Sequence, residues 1–173
     1  MTQSVELTLD VAADEVIAGQ WSDLSAAGLP SSQRLEPSAT HRPHVTLFAG
    51  DVLSPEADAG LPALVTALDL PLRVGAVLLF GPRRGQFVLA RQVVVSAELL
   101  DLQATIAATC GASPHGQFGP GLWTPHVTLA PRVRSAQLGP ALDVLGAMDE
   151  IEARVTQCRR WDSERRTAWW LTG

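Results

Sequence analysis

The pentapeptide PHVTL occurs twice in this chain, at Pro43–Leu47 and at Pro125–Leu129, once in each half of 173 residues. Chance is a poor explanation for an identical five-residue match in a chain this short, and the two copies use two of only four histidines. Each copy reads as a strand. Side chains alternate across a sheet, so His44 and Thr46 share one face while Val45 and Leu47 take the other. His126 and Thr128 are set against Val127 and Leu129 in the same way. Each strand therefore offers one imidazole and one hydroxyl about 7 Å apart, backed by a pair of core residues. The preceding proline keeps the approach extended and is tolerated at a strand's first position.

The order of elements around the repeats predicts the architecture. VELTLDV (Val5–Val11) alternates as a strand, and Asp14–Ala27 reads as a helix ending near Gly28 and Pro30. A polar loop rich in Ser and Pro leads to the first PHVTL strand. A helix follows around Leu61–Leu68. Two strands, Leu72–Phe80 and Gln86–Val95, then flank the hairpin turn GPRRG. Ser96 is placed to cap a helix running to Cys110, with Leu99, Leu102 and Ile106 on one side. A Gly- and Pro-rich loop precedes the second PHVTL strand. A short helix at Pro140–Met148 and strands near Ile151–Cys158 and Thr167–Leu171 complete the chain. The expected fold is α+β: two similar lobes, each a mainly antiparallel sheet with outer helices, around a central cleft carrying one H-x-T per lobe. The whole chain, 1–173, is expected to be one domain of two pseudo-symmetric lobes.

Composition narrows the chemistry. Lysine, asparagine and tyrosine are absent, so arginine is the only strong cation and no lysine Schiff base or tyrosine acid can be drawn. A net charge of −5 argues against general coating of a nucleic acid, while leaving room for one end of an RNA or a small anionic ligand. No apolar run reaches the roughly 20 residues of a membrane span, and the start lacks a signal peptide's basic and apolar regions; a cytoplasmic monomer is expected. Cys110 and Cys158 match no metal-ligand spacing and read as buried thiols.

Two imidazoles and two hydroxyls around one point suit a phosphodiester. In-line displacement at phosphorus needs a base for the incoming oxygen and an acid for the departing one, and histidine serves in either state near neutral pH. Threonine hydroxyls can donate to the non-bridging oxygens. This chemistry calls for no metal and no cofactor. His41 and His115, in the loops ahead of the two motifs, lack acidic or cysteine companions at a useful spacing and read as surface histidines.

Paired H-x-T motifs on strands, one per half of a chain this size, resemble the two-histidine (2H) phosphoesterase superfamily, in particular its 2′-5′ RNA ligase-like branch with the RNA 2′,3′-cyclic phosphodiesterases. The resemblance implies a catalytic set of His44, Thr46, His126 and Thr128 that opens a 2′,3′-cyclic phosphate on an RNA 3′ end or a small nucleotide. It leaves open the reverse reaction, 2′-5′ ligation, and a non-catalytic nucleotide- or RNA-binding role. By the resemblance His126 is the base and His44 the acid. Many relatives continue the second motif as H-x-T-L-A-R, where this chain has Pro131; Arg132 and Arg134 are the candidate replacements for that cation. Arg42, Phe48, Trp123 and Arg132 are the candidate substrate contacts. Arg83 and Arg84 in the hairpin read as solvated turn residues that can also guide an anion.

Overall fold

The computed structural model of the chain describes residues 2–34 and 40–172; part of the polar loop ahead of the first motif, 35–39, lies outside the described residues. Among the described residues, eight strands and four helices run in the order β1 (Gln3–Thr8), α1 (Val11–Ala26), β2 (His44–Gly50), α2 (Pro55–Val65), β3 (Leu70–Arg83), β4 (Gln86–Val93), α3 (Ala97–Thr109), β5 (His126–Arg134), α4 (Ser135–Leu145), β6 (Ile151–Val155), β7 (Gln157–Asp162) and β8 (Thr167–Trp170). They form two four-stranded antiparallel sheets, ordered β2-β1-β7-β8 and β5-β4-β3-β6. This is the expected α+β architecture of two sheets with helices outside. No helix among the described residues is long and apolar enough to cross a membrane.

The two sheets are not the two halves of the sequence. The run Ile151–Cys158, read as one strand, breaks at Thr156: β6 joins the second sheet and β7 the first. The helices are exchanged as well. α1, which leaves the first sheet, packs with α4 on β5 of the second, while α3, which leaves the second, packs on β2 of the first beside α2. Their apolar stripes explain the docking. Ala13, Ile17, Trp21 and Leu24 recur along one face of α1, and Leu99, Ile106 and Ala107 along one face of α3.

Local signals set most helix starts. Asp10, Ser54 and Ser96 each accept a hydrogen bond from the backbone three residues on, which occupies one of the unpaired N–H groups of a helix start. α2 and α4 begin earlier than the sequence pattern suggests, at Pro55 and Ser135. Ser54–Pro55 is a cap followed by a first-turn proline, and Gln137 closes back onto Arg134. At the other end of the size scale, Val45, Leu47, Val127 and Leu129 are fully buried, each contributing about 1.5–3 kcal/mol of apolar transfer. The core faces of both motifs are therefore anchored.

Candidate active site

Both PHVTL strands lie at the edge of their sheets, and these edges, β2 and β5, pack against each other. An edge strand leaves backbone carbonyls unpaired on its outer side. Here they are met by the exchanged helices and the loops after them. Trp21 of α1 donates its indole N–H to the Thr128 carbonyl at 2.9 Å, and the Ser32 amide donates to Leu129 at 2.8 Å. On the other strand, Trp123 donates to the Thr46 carbonyl at 3.0 Å and Gln103 of α3 to Leu47 at 3.2 Å. Each motif is thus clamped from outside by a tryptophan and one further donor.

The match extends to the backbone. Glu6 and Val5 face Thr46 and Phe48, with Leu47 the extra residue; Ala90 and Leu89 face Thr128 and Ala130, with Leu129 the extra residue. A bulge at the same motif position turns each strand just beyond its threonine. Histidine orientation is matched too. His44 Nδ1 lies 2.9 Å from the Arg42 carbonyl, and His126 Nδ1 lies 2.8 Å from the Thr124 carbonyl. A carbonyl oxygen only accepts, so each Nδ1 carries hydrogen and each Nε2 is left for chemistry.

A cleft of about 700 Å³ is lined by Thr46 and His126, one from each motif, with Phe80, Phe118, Trp123, Arg83, Gln86 and Leu122; His44 and Thr128 are not among its lining residues. The Phe80 ring lies 4.6 Å from the His126 ring. Another hollow, of about 590 Å³ between Asp10, Arg73, Ser96 and Arg154, contains none of the motif residues.

The two imidazoles have different neighbours. Glu6 Oε1 is 3.8 Å from His44 Nε2, whereas the residue facing Thr128 in the second sheet is Ala90. Glu6 is itself buried. It accepts from the Ser4 hydroxyl at 2.6 Å and from Arg159 Nε and Nη2 at 2.9 and 2.8 Å; Arg159 also donates to the Thr40 carbonyl. Burial alone would raise the Glu6 pKa, but the charges of His44 and Arg159 and these hydrogen bonds outweigh it and hold the carboxyl below its ordinary value. A carboxylate thus faces His44. His126 is shifted the other way. Burial, with the charge of His44 adding to it, lowers its pKa against the opposing pull of the Thr124 carbonyl. One imidazole sits by an anion and the other in an apolar wall. That is the division an acid and a base require.

A family model for the 2'-5' RNA ligase superfamily matches residues 13–167. The chain belongs to the 2'-5' RNA ligase superfamily. Its members are phosphoesterases and ligases acting on RNA phosphodiester bonds. Among curated proteins none matches the chain at a significant level. Solved structures share the superfamily fold at low identity. E. coli LigT in apo form matches with a TM-score of 0.60 and 15% identity over 98% of this chain and 93% of that one. Kluyveromyces marxianus Usb1 matches at 0.57 and 13% over 98% and 97%. LigT complexed with 3'-AMP matches at 0.53 and 16% over 97% and 91%.

The candidate contacts of this superfamily member fall out unevenly. Trp123 lines the cleft. Phe48 does not: the bulge at Leu47 turns it off the His44 face, and it is buried against Phe118 at 5.9 Å. Arg42 bonds Asp14 at 3.1 Å and the Leu9 carbonyl at 3.1 Å, tying the loop to α1. Arg132, with φ of 59°, sits in an irregular stretch of β5 and points to solvent outside the cleft lining. Arg83 lines the cleft although it reads as a turn residue. His41 is half-buried, stacking on Trp21 at 5.2 Å and bonding the Ser32 carbonyl, while His115 is exposed. Among the described residues no three His, Cys, Asp or Glu side chains gather as metal ligands would. Glu6, Arg159 and Phe80 were not legible as site residues. Glu6 is the lone acid in an otherwise apolar-alternating strand, which is the only local signal it carries.

Proposed function

We propose that the protein opens 2′,3′-cyclic phosphates at RNA ends or on small nucleotides by two-histidine acid–base catalysis without a metal. The observation that carries this reading is the matched pair of imidazoles, each held through Nδ1 by a carbonyl two residues upstream so that Nε2 is available. His126 Nε2 takes a proton from the attacking water. The water oxygen bonds to phosphorus as one ring P–O bond breaks, and His44 Nε2 gives its proton to the departing ribose oxygen. Thr46 and Thr128 donate to the non-bridging oxygens, where negative charge accumulates. Phe80, Phe118 and Trp123 offer apolar faces on which a base can stack. That LigT has been solved with 3'-AMP and Usb1 with uridine monophosphate supports a nucleotide as the ligand class.

The superfamily's ligase activity favours a second reaction at the same centre. There a ribose 5′-hydroxyl replaces water as nucleophile, and a phosphodiester forms in place of a phosphate monoester. Incubating a 2′,3′-cyclic nucleotide with the protein in excess EDTA, with and without an RNA bearing a 5′-hydroxyl, tests both. Chelator-resistant release of a nucleoside monophosphate is the expected result. No turnover, or turnover abolished by chelation, overturns the proposal.

A further inference from the structure

We infer that the β3–β4 hairpin and the end of β5 form an arginine track that binds the phosphate chain of a single-stranded RNA leading into the cleft, so that the preferred substrate is an oligonucleotide end and not a mononucleotide. Arg83, Gln86 and Arg134 stand side by side in register across β3, β4 and β5. Arg84 occupies the turn, and Arg132 lies two residues before Arg134, both at positive φ. All four arginines are exposed.

These four lie together and lack acids; Arg166, which also pairs with no acid among the described residues, is apart from them in the turn between β7 and β8. Arg42, Arg73, Arg154, Arg159, Arg160 and Arg165 all form ion pairs. Arg91 is buried against backbone carbonyls. None of Arg83, Arg84, Arg132 and Arg134 pairs with an acid among the described residues. Arg134 also caps α4, whose first turn has no acidic residue to cancel its positive end. In a chain of net charge −5 this is a local concentration of positive potential, which attracts a polyanion where the molecule as a whole does not.

Position gives the track a direction. Arg83 and Gln86 line the cleft itself, next to Phe80, which touches His126. From His126 to Arg134 along β5 is roughly 20 Å once its bulges are allowed for. That span corresponds to about six stacked nucleotides at 3.4 Å each. Arg83 stands in the same row as Arg134, so a mononucleotide seated at His126 falls short of the track and only a longer chain reaches it.

This inference rests on the cleft being the nucleotide site, but its test does not need turnover. Binding of a fluorescein-labelled single-stranded RNA of about 12 nucleotides ending in a 3′-phosphate is followed by anisotropy as salt rises. Replacing Arg84, Arg132 and Arg134 together by Gln should flatten the log Kd against log salt slope by about 2, near 0.7 per lost phosphate contact. Between 50 and 200 mM salt the wild type should then lose roughly tenfold to twentyfold more affinity than this variant. The same three positions as Lys keep the charge and should retain the steep slope, which separates lost charge from lost folding. Affinity for a dinucleotide should drop far less than for the long RNA. An unchanged slope in the Gln variant, or equal losses for the dinucleotide and the long RNA, overturns the track. Steep, length-dependent binding without turnover leaves the track standing and removes the phosphodiesterase reading instead.

Discussion

Glu6 Oε1 lies 3.8 Å from Nε2 of His44, on the far side of a buried ion pair with Arg159. This contact breaks the near-symmetry of two otherwise matched motifs. Glu6→Gln removes the carboxylate beside His44 Nε2, so turnover should fall. It also strands Arg159 in the interior, at a cost of about 3–5 kcal/mol. Combining it with Arg159→Met should recover most of that stability and none of the turnover. Full turnover in the double variant would contradict the role given to Glu6.

Stability should follow the same carboxylate. The folded state holds the Glu6 pKa below its ordinary value, so its contribution is complete above the usual carboxylate range and is lost as pH falls through the lowered value. Thermal melts should show a decline on acidification that Glu6→Gln/Arg159→Met makes shallower.

On the acid side, His126 must be neutral to accept a proton, and burial holds its pKa below the ordinary histidine value. Activity should therefore persist below about pH 6.5 before it falls. Phe80→Ala opens the apolar wall beside the ring, which should move the acid limb upward. A profile with no acid limb would remove the base from the mechanism.

His44→Ala and His126→Ala should each lower kcat by roughly 10²–10⁴-fold, with the double variant little worse because the pair acts as a unit. Thr46→Ala and Thr128→Ala should cost less. Single-turnover rates on a 2′,3′-cyclic nucleotide measure all five, and full activity in either histidine variant refutes the assignment.

Trp21→Phe keeps the ring and leaves the Thr128 carbonyl without its indole donor. The expected loss is about 1–3 kcal/mol, which for a chain of this size lowers Tm by roughly 2–10 °C. Because Trp21 sits behind β5, its loss should also loosen the seat of His126. Calorimetry beside the rate assay separates the two effects, and an unchanged Tm would show that the edge carbonyl is satisfied in another way.

What could be read from the sequence was what depends on a few neighbouring residues. Alternation of apolar and polar residues put His44 with Thr46 and His126 with Thr128, and an oxygen-bearing side chain at Ser96 marked a helix start. Both follow from backbone geometry within one turn or one pleat. The matched context of the two motifs carried the superfamily resemblance, which the family match bears out.

Contacts between distant segments were decided only by the tertiary structure. Nothing local in Ile151–Cys158 says that the chain leaves one sheet for the other at Thr156, because each half of the run pairs with a strand far away in sequence. Phe48 has the parity of a cleft residue and is core, since a bulge is defined by the partner strand it opposes. Glu6 is one acid in an apolar strand until Arg159, 153 residues on, folds against it. Alternation is a property of one strand, whereas register, bulges and buried ion pairs are properties of two, and the sequence of one segment does not contain the other's position.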